Sequence, residues 1–312
     1  MRILVIKLGA LGDFVLAFGP FAAIRAHHPH AHITLLTTKP FAGLAARAPW
    51  FDAVRVDSRP AAWDLPGLLR LLRAVRGFDF VYDLQTSGRS SRYHRIAGRP
   101  PWSGIARGAS HPHANPGRDA MHTLDRQREQ LAMAGINAFP RPGLSWLTGA
   151  GPAVAEPYAL LVPGAAPHRP AKRWPAERFG ALAALLQDGG IRPVVIGSGT
   201  DMPLAAAILA RCPAALDLTG RTTLPDLAGL AARAALAVGN DTGPMHLAAA
   251  VGCRCIVLFS GSSDPALTAP RGDVAVLREA SLADLPVARV AAVVLGGHTS
   301  RPFLPKDHPC LP

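Results

Sequence analysis

VGNDTGPMHLAAAVG, residues 238–252, sits between two short apolar runs, ALAVG (235–239) and CIVLFS (255–260). The chain leaves one run through Gly-Asn-Asp-Thr-Gly-Pro, enters an Ala-rich helix, and returns to a second β-branched run. Both runs are continuously apolar rather than alternating, as in strands covered on both faces, so the unit reads as two parallel strands joined by a helix. A plain connection needs only a turn and a cap. Here Asp241, Thr242 and His246 gather where the helix that begins near Gly243 leaves N–H groups free and carries about half a positive charge. That is a place to hold an anion.

The same alternation extends in both directions. In the first half the strands read ILVIKL (3–8), HITLLTT (32–38), AVRVD (53–57) and FDFVYDL (78–84), with helical patterns near 13–26, 66–76 and 120–134. In the second half they read YALLVP (158–163), RPVVIG (192–197), AALDL (214–218), ALAVG and CIVLFS, with helices near 175–187, 201–211, 224–233 and 243–251. The Pro- and Gly-rich stretch PRPGLSWLTGAGPAVAEP (140–157) separates the two series and reads as a linker with hinge motion. The expectation is an α/β protein of two doubly wound domains, residues 1–150 and 151–312, facing each other across a cleft. Ligands in such sheets lie beyond the carboxyl ends of the strands.

Composition narrows the function. With 312 residues and 49% hydrophobic residues, the chain holds a substantial core and is neither disordered nor fibrous. No run of about 18 uncharged apolar residues marks a membrane span. Lys7 and Asp13 interrupt any signal-peptide core, so a cytoplasmic location is expected. Cys212, Cys253, Cys255 and Cys310 have neither metal-site nor disulfide spacing. The net charge of +12 is uneven: residues 1–150 hold 19 Lys and Arg against 9 Asp and Glu, residues 151–312 hold 14 against 12. The first half therefore faces an acidic partner, a phosphorylated glycan, anionic lipid or nucleic acid. Aromatic residues are only 6% and are not interleaved with the basic ones, which argues against nucleic acid.

Several loops at strand ends carry candidate chemistry. In KLGALGDFVLAFGPFAAIR (7–25), Gly9 and Gly12 permit a tight turn and Asp13 opens a helix, either as a first-turn charge or as a working carboxylate. The loop is not GxGxxG. In VPGAAPHRPAKRWPAERF (162–179), Gly164 begins a small-residue loop and Lys172, one of only four lysines, is a point charge suited to phosphate. Asp201 in GSGTDM (197–202) and Thr223 in TGRTTLPDL (219–227) serve as caps or as contacts to a ribose or phosphate. Asp-Thr-Gly at 241–243 is not an aspartic-protease loop, because Pro244 and a helix follow. His246 is expected to be neutral beside the positive helix end. No Asp-x-Asp pair occurs, and HHPHAH (27–32) and HPH (111–113) lack companion carboxylates, so neither a metal nor another cofactor is indicated.

Taken together, KLGALGDFVLAFGPFAAIR (7–25), PGAAPHRPAKRWP (163–175) and GNDTGPMHLAAAVGCRCIVLFSGSSDP (239–265) resemble glycosyltransferase family 9, the ADP-heptose:lipopolysaccharide heptosyltransferases of the GT-B fold. The resemblance covers nearly the whole chain. It implies that Asp13 is the general base and that Lys172 contacts donor phosphate. Asp241, Thr242, Gly243 and His246 then bind the sugar and diphosphate, with Gly164, Thr223 and Asp201 also on the donor side. It implies an anionic lipopolysaccharide inner-core acceptor on the amino-terminal domain, in line with the charge division. Gly12, Gln85, Arg89 and Arg92 are the acceptor candidates, with Arg95, Arg99, Arg107 and Arg118 completing a guanidinium-rich stretch. Transfer from ADP-heptose would be inverting and metal-independent, by an enzyme at, or peripheral to, the inner face of the inner membrane. The alternatives are a nucleotide-sugar epimerase or protein O-glycosyltransferase on the same architecture, or a non-enzymatic anion-binding module.

Overall fold

The computed structural model describes residues 1–296 other than Ala62, Ala150 and Glu156; Lys306, Cys310 and the end of the second expected domain lie outside the described residues. The strands β1 (Arg2–Ile6), β2 (His32–Thr37), β3 (Ala53–Val56), β4 (Phe80–Asp83), β5 (Trp102–Gly104) and β6 (His111–Pro112) form one sheet, in the order β3-β2-β1-β4-β5-β6. A second sheet holds β7 (Tyr158–Val162), β8 (Arg192–Val195), β9 (Leu216–Asp217), β10 (Leu236–Asn240), β11 (Cys255–Phe259) and β12 (Val274–Arg278), in the order β12-β11-β10-β7-β8-β9. Every pairing is parallel. Counted from its own first strand, each sheet runs third, second, first, fourth, fifth, sixth, the doubly wound order whose direction reverses between first and fourth strands. The reversals fall at β1/β4 and β7/β10.

The central strands explain the continuous apolar runs. β7, β10 and β11 are buried at every residue, and β1 at all but Arg2, because helices cover both faces. One hydrophobic cluster runs through both halves, from Ile3 and Phe14 to Met245 and Phe259. The seam is the packing of helix Leu11–Leu16 on helix Gly243–Ala250. A Cβ on Gly243 would stand 2.5 Å from the Leu11 Cβ, and one on Gly12 would stand 2.9 Å from the His246 ring. Only hydrogen side chains allow this approach.

Some expectations need correction. The single helix near 13–26 is two, Leu11–Leu16 and Phe18–His27. Pro20 has no N–H to give the Leu16 carbonyl, so the ladder breaks there. The 140–157 stretch is not a bare linker. It contains the helix Ser145–Thr148, with Leu147 fully buried and Trp146 against Phe18 and Trp50, ring centroids 6.1 and 5.7 Å away. The strands of the first sheet end at Pro112 and those of the second begin at Tyr158. Helices Lys39–Ala45, Gly88–Ile96 and Val287–Gly296, and strands β5, β6 and β12, were not anticipated.

Candidate active site

At the second sheet, Asn240 ends β10 and is fully buried. Its Nδ2 donates to the Pro163 carbonyl (2.8 Å) and its Oδ1 accepts from the Trp174 N–H (3.0 Å). One side chain thus ties the loop after β7 to the turn Pro170–Lys172 and brings that turn beside Asp241. Lys172 Nζ donates to Asp241 Oδ2 at 2.5 Å, with side chains 11% and 6% exposed. Asp241 therefore neutralises the lysine instead of capping a helix. The N-cap of the Gly243–Ala250 helix is Thr242, in extended conformation and with no side-chain hydrogen bond to the helix. Pro244 has no N–H and the Met245 N–H donates to the Thr242 carbonyl (3.1 Å), so of the first turn the Gly243 N–H is left for another acceptor.

Beside this lies a cavity of about 340 Å³ whose lining includes Val162, Ile196, Leu224, Leu227, Thr223 and Thr242. Gly164 also lines it, with room for no Cβ because the Asp201 carboxylate would stand 2.7 Å away. Asp201 Oδ2 accepts from the Ser198 N–H (2.9 Å) and hydroxyl (2.7 Å), so its first task is to shape the loop. Thr223 caps the helix Leu224–Arg233 in a reciprocal box with Asp226. Asp201 and Thr223 both line the cavity while doing this structural work. The lining contains no lysine or arginine.

Asp13 lies in the first turn of the Leu11–Leu16 helix, half-buried, on the side of the seam that meets the Gly243–Ala250 helix. It attracts a ring of charged and titratable groups: Lys7 beyond β1, Arg126 on the helix Thr123–Met133, and His246 opposite. Lys7 is buried, donates to the Leu84 carbonyl (3.1 Å), and is pulled by burial from 10.5 to about 8. Asp83, at the end of β4, is raised by burial to about 6. His246 is pressed against Gly12 with Nδ1 unpartnered, and burial lowers it to about 4. Its ring is neutral, so it brings no cation to a diphosphate. His122 crosses the seam too: Nε2 donates to the Ala269 carbonyl (2.9 Å) and Nδ1 accepts from the Leu124 N–H (3.2 Å), the pattern of one neutral tautomer.

A wider cavity, about 680 Å³, opens at the carboxyl ends of β1, β2 and β3, lined among others by Gly9, Ala10, Lys39, Phe41, Asp57 and Arg59. The acceptor candidates read from sequence fall around it rather than in it. Gln85 Oε1 accepts from the Leu8 N–H (2.8 Å), shaping the loop that leads to Asp13. Arg89 lies beneath the floor, its Nε 3.3 Å from the Asp57 carboxylate, while Tyr93 donates to the same carboxylate at 2.6 Å. Arg92, Arg95, Arg99 and Arg107 are exposed and line neither cavity; Arg118 pairs with Asp119 at 2.9 Å. Gly12 packs on His246. Sequence reasoning missed Lys7, Lys39, Arg59 and Arg126. Lys39 carried a usable signal: it is one of the four lysines and directly follows the HITLLTT run.

A model of glycosyltransferase family 9 (heptosyltransferase) matches residues 68–286. The chain belongs to that family. This glycosyltransferase is 26% identical over 307 residues to lipooligosaccharide heptosyltransferase 2 of Haemophilus influenzae, covering 89% of this chain and 88% of the relative. The solved structure of Escherichia coli ADP-heptose lipopolysaccharide heptosyltransferase II matches it at a TM-score of 0.75 and 24% identity, covering 96% of this chain and 100% of the other. An Escherichia coli heptosyltransferase solved with ADP matches at 0.78 and 22%, covering 94% and 99%. The fold is GT-B, with the enzyme's two sheets facing across the seam.

Proposed function

We propose that this glycosyltransferase moves heptose from ADP-heptose to an anionic inner-core lipopolysaccharide acceptor, with inversion at the sugar carbon. The observation that carries the reading is the seam itself: a carboxylate in the first turn of one helix meets the uncapped start of another, with Lys172 beside it. The relatives' names supply the heptose and the ADP. The smaller cavity, apolar with hydroxyls and one carboxylate, suits a nucleoside; the wider one, with Lys39 and Arg59 on its rim, suits an anionic sugar.

In the reaction Asp13 accepts the proton of the acceptor hydroxyl as its oxygen attacks the anomeric carbon. The bond to the diphosphate breaks on the opposite face, through an oxocarbenium-like transition state. Charge growing on the leaving ADP meets the Lys172 ammonium and the Gly243 N–H at the helix start. Asp241, released as Lys172 turns to phosphate, is placed to hold sugar hydroxyls.

Incubation with ADP-heptose and a core acceptor lacking that heptose, followed by mass spectrometry, tests the reading. One added heptose with release of ADP is expected. Transfer from UDP- or GDP-sugars but not from ADP-heptose would overturn it, as would conversion of donor alone to an epimer.

A further inference from the structure

The helix Leu65–Val75 carries more apolar surface than it buries. Its inward row is Gly67, Leu71 and Val75. Leu65, Leu68, Leu69 and Leu72 repeat the i, i+3, i+4, i+7 spacing that normally faces a core, yet lie on another side. Leu65 is 68% exposed and Leu69 52%, with Leu68 and Leu72 half-buried. Trp63, just before the helix, is 86% exposed, whereas Trp50, Trp102 and Trp174 are at 5% or less. An indole left in water is out of character for this chain.

Cations interleave with these groups. Arg70, Arg73 and Arg76 are exposed on the same helix and Arg59 on the preceding loop. Arg76 Nε donates to the Ile96 carbonyl. Arg70 and Arg73 form no ion pair among the described residues. Asp64, the one carboxylate in this stretch, caps the helix by accepting from the Gly67 N–H at 2.9 Å. Exposed leucines and an indole flanked by unneutralised guanidinium groups match the boundary between acyl chains and anionic headgroups.

We infer that Trp63 and the exposed face of the Leu65–Val75 helix dock this enzyme on the surface of an anionic phospholipid bilayer. The indole and leucines enter the acyl boundary while Arg70 and Arg73 meet headgroup phosphates. No helix among the described residues is long and apolar enough to cross a membrane, so docking is at the surface. The face also leads to the wide cavity: Val56, 45% exposed, and Arg59 belong to that cavity's lining. An acceptor held in the same bilayer by an acyl anchor would meet the cavity mouth. The inference rests on exposed side chains and is independent of which sugar is transferred. A protein partner or a second copy would also cover leucines, but unpaired arginines among them favour a polyanionic surface.

Vesicle sedimentation tests it without turnover. The full chain should bind phosphatidylethanolamine–phosphatidylglycerol vesicles roughly tenfold or more tightly than phosphatidylcholine vesicles, with salt weakening the difference. Tryptophan emission should shift blue on binding, and Trp63→Phe should abolish the shift while still binding. Leu65→Ser with Leu69→Ser, and separately Arg70→Ser with Arg73→Ser, should each cut partitioning roughly tenfold. Melting should stay cooperative and turnover of a soluble acceptor should be unchanged, since none of these residues lines either cavity. Equal binding to both vesicle types, or unchanged binding by both double variants, overturns the inference. So does a lipid-free dimer that Trp63→Ser dissociates, which would make this a self-association surface.

Discussion

The two cavities occupy equivalent places on two sheets of identical strand order, each beyond the first, second and third strands of its own sheet. What differs is the loop chemistry. The second sheet's cavity encloses about 340 Å³ with no cation in its lining, its positive charge set to one side as Lys172 and a bare helix end. The first sheet's cavity is about twice as large and has Lys39 and Arg59 in its wall. On the proposed reading, one frame yields a slot for a nucleoside with a separate anion site, and a basin for an anionic sugar. The lesson is that topology fixes where a ligand sits and a few loop residues decide which ligand.

The sharpest way to break this division of labour is Asp13→Asn. Removing the base should lower kcat by roughly 10²–10⁴-fold. ADP affinity, which belongs to the other half, should be unchanged in calorimetry. A kcat within about threefold of wild type would remove Asp13 from the chemistry. Lys172→Ala should act on the opposite half. It leaves the 6%-exposed Asp241 without its partner, at a cost to stability of about 3 kcal/mol, and it weakens ADP binding. Adding Asp241→Ala should recover much of the melting temperature and none of the ADP affinity. Recovery of both would mean that the lysine serves structure alone.

Legibility followed burial on two faces. β1, β7, β10 and β11 announce themselves as unbroken apolar runs because helices cover them on both sides. β5 and β6, of three and two residues, are too short for any pattern, and the SHPHANPGR stretch (110–118) that contains β6 is held by Glu129, which accepts from Asn115 at 2.9 Å. Helix Gly88–Ile96 was illegible for another reason. Its inward residues are Ser90, Tyr93 and His94, and its capping box is made by two serines rather than by Ser and Glu. Of the site, Asp13, Lys172 and the 241–246 loop were visible because each follows a recognisable strand. Lys7 was hidden inside the strand pattern, and Arg126 reaches the site from a helix distant in sequence. The arginine run at 89–99 could not be placed from sequence, because charge on a helix says nothing about which way it faces.

Lys7 tests the electrostatics of the first half through pH. Its folded value, about 8, lies below its ordinary 10.5, so between these limits the unfolded chain binds more protons than the folded one. Stability therefore rises with pH across that window and carries the full penalty below it. Lys7→Met removes a penalty of about 3 kcal/mol and loses the hydrogen bond to Leu84, worth about 1 kcal/mol. The variant should be more stable than wild type at neutral pH by about 2 kcal/mol, and the advantage should vanish by about pH 10.5. A gap that does not change with pH would show that Lys7 is not held against its charge.

The smallest effects are expected at the basin, where charges are solvated. Lys39→Ala and Arg59→Ala each remove an exposed cation, worth about 0.5–1 kcal/mol toward an anionic acceptor, so together they should raise the acceptor KM roughly tenfold with the donor KM unchanged. Ionic strength should separate the halves in the same direction. At about 0.15 M salt the screening length is about 8 Å, which weakens the open basin's attraction. Lys172, 11% exposed and sheltered by its loop, should be screened much less. The wild-type acceptor KM should climb with added salt while ADP affinity stays nearly flat, and the Lys39→Ala/Arg59→Ala enzyme should lose most of that climb. If donor and acceptor respond to salt alike, the two cavities do not differ in charge as their linings state, and the assignment of acceptor to the first sheet fails with it.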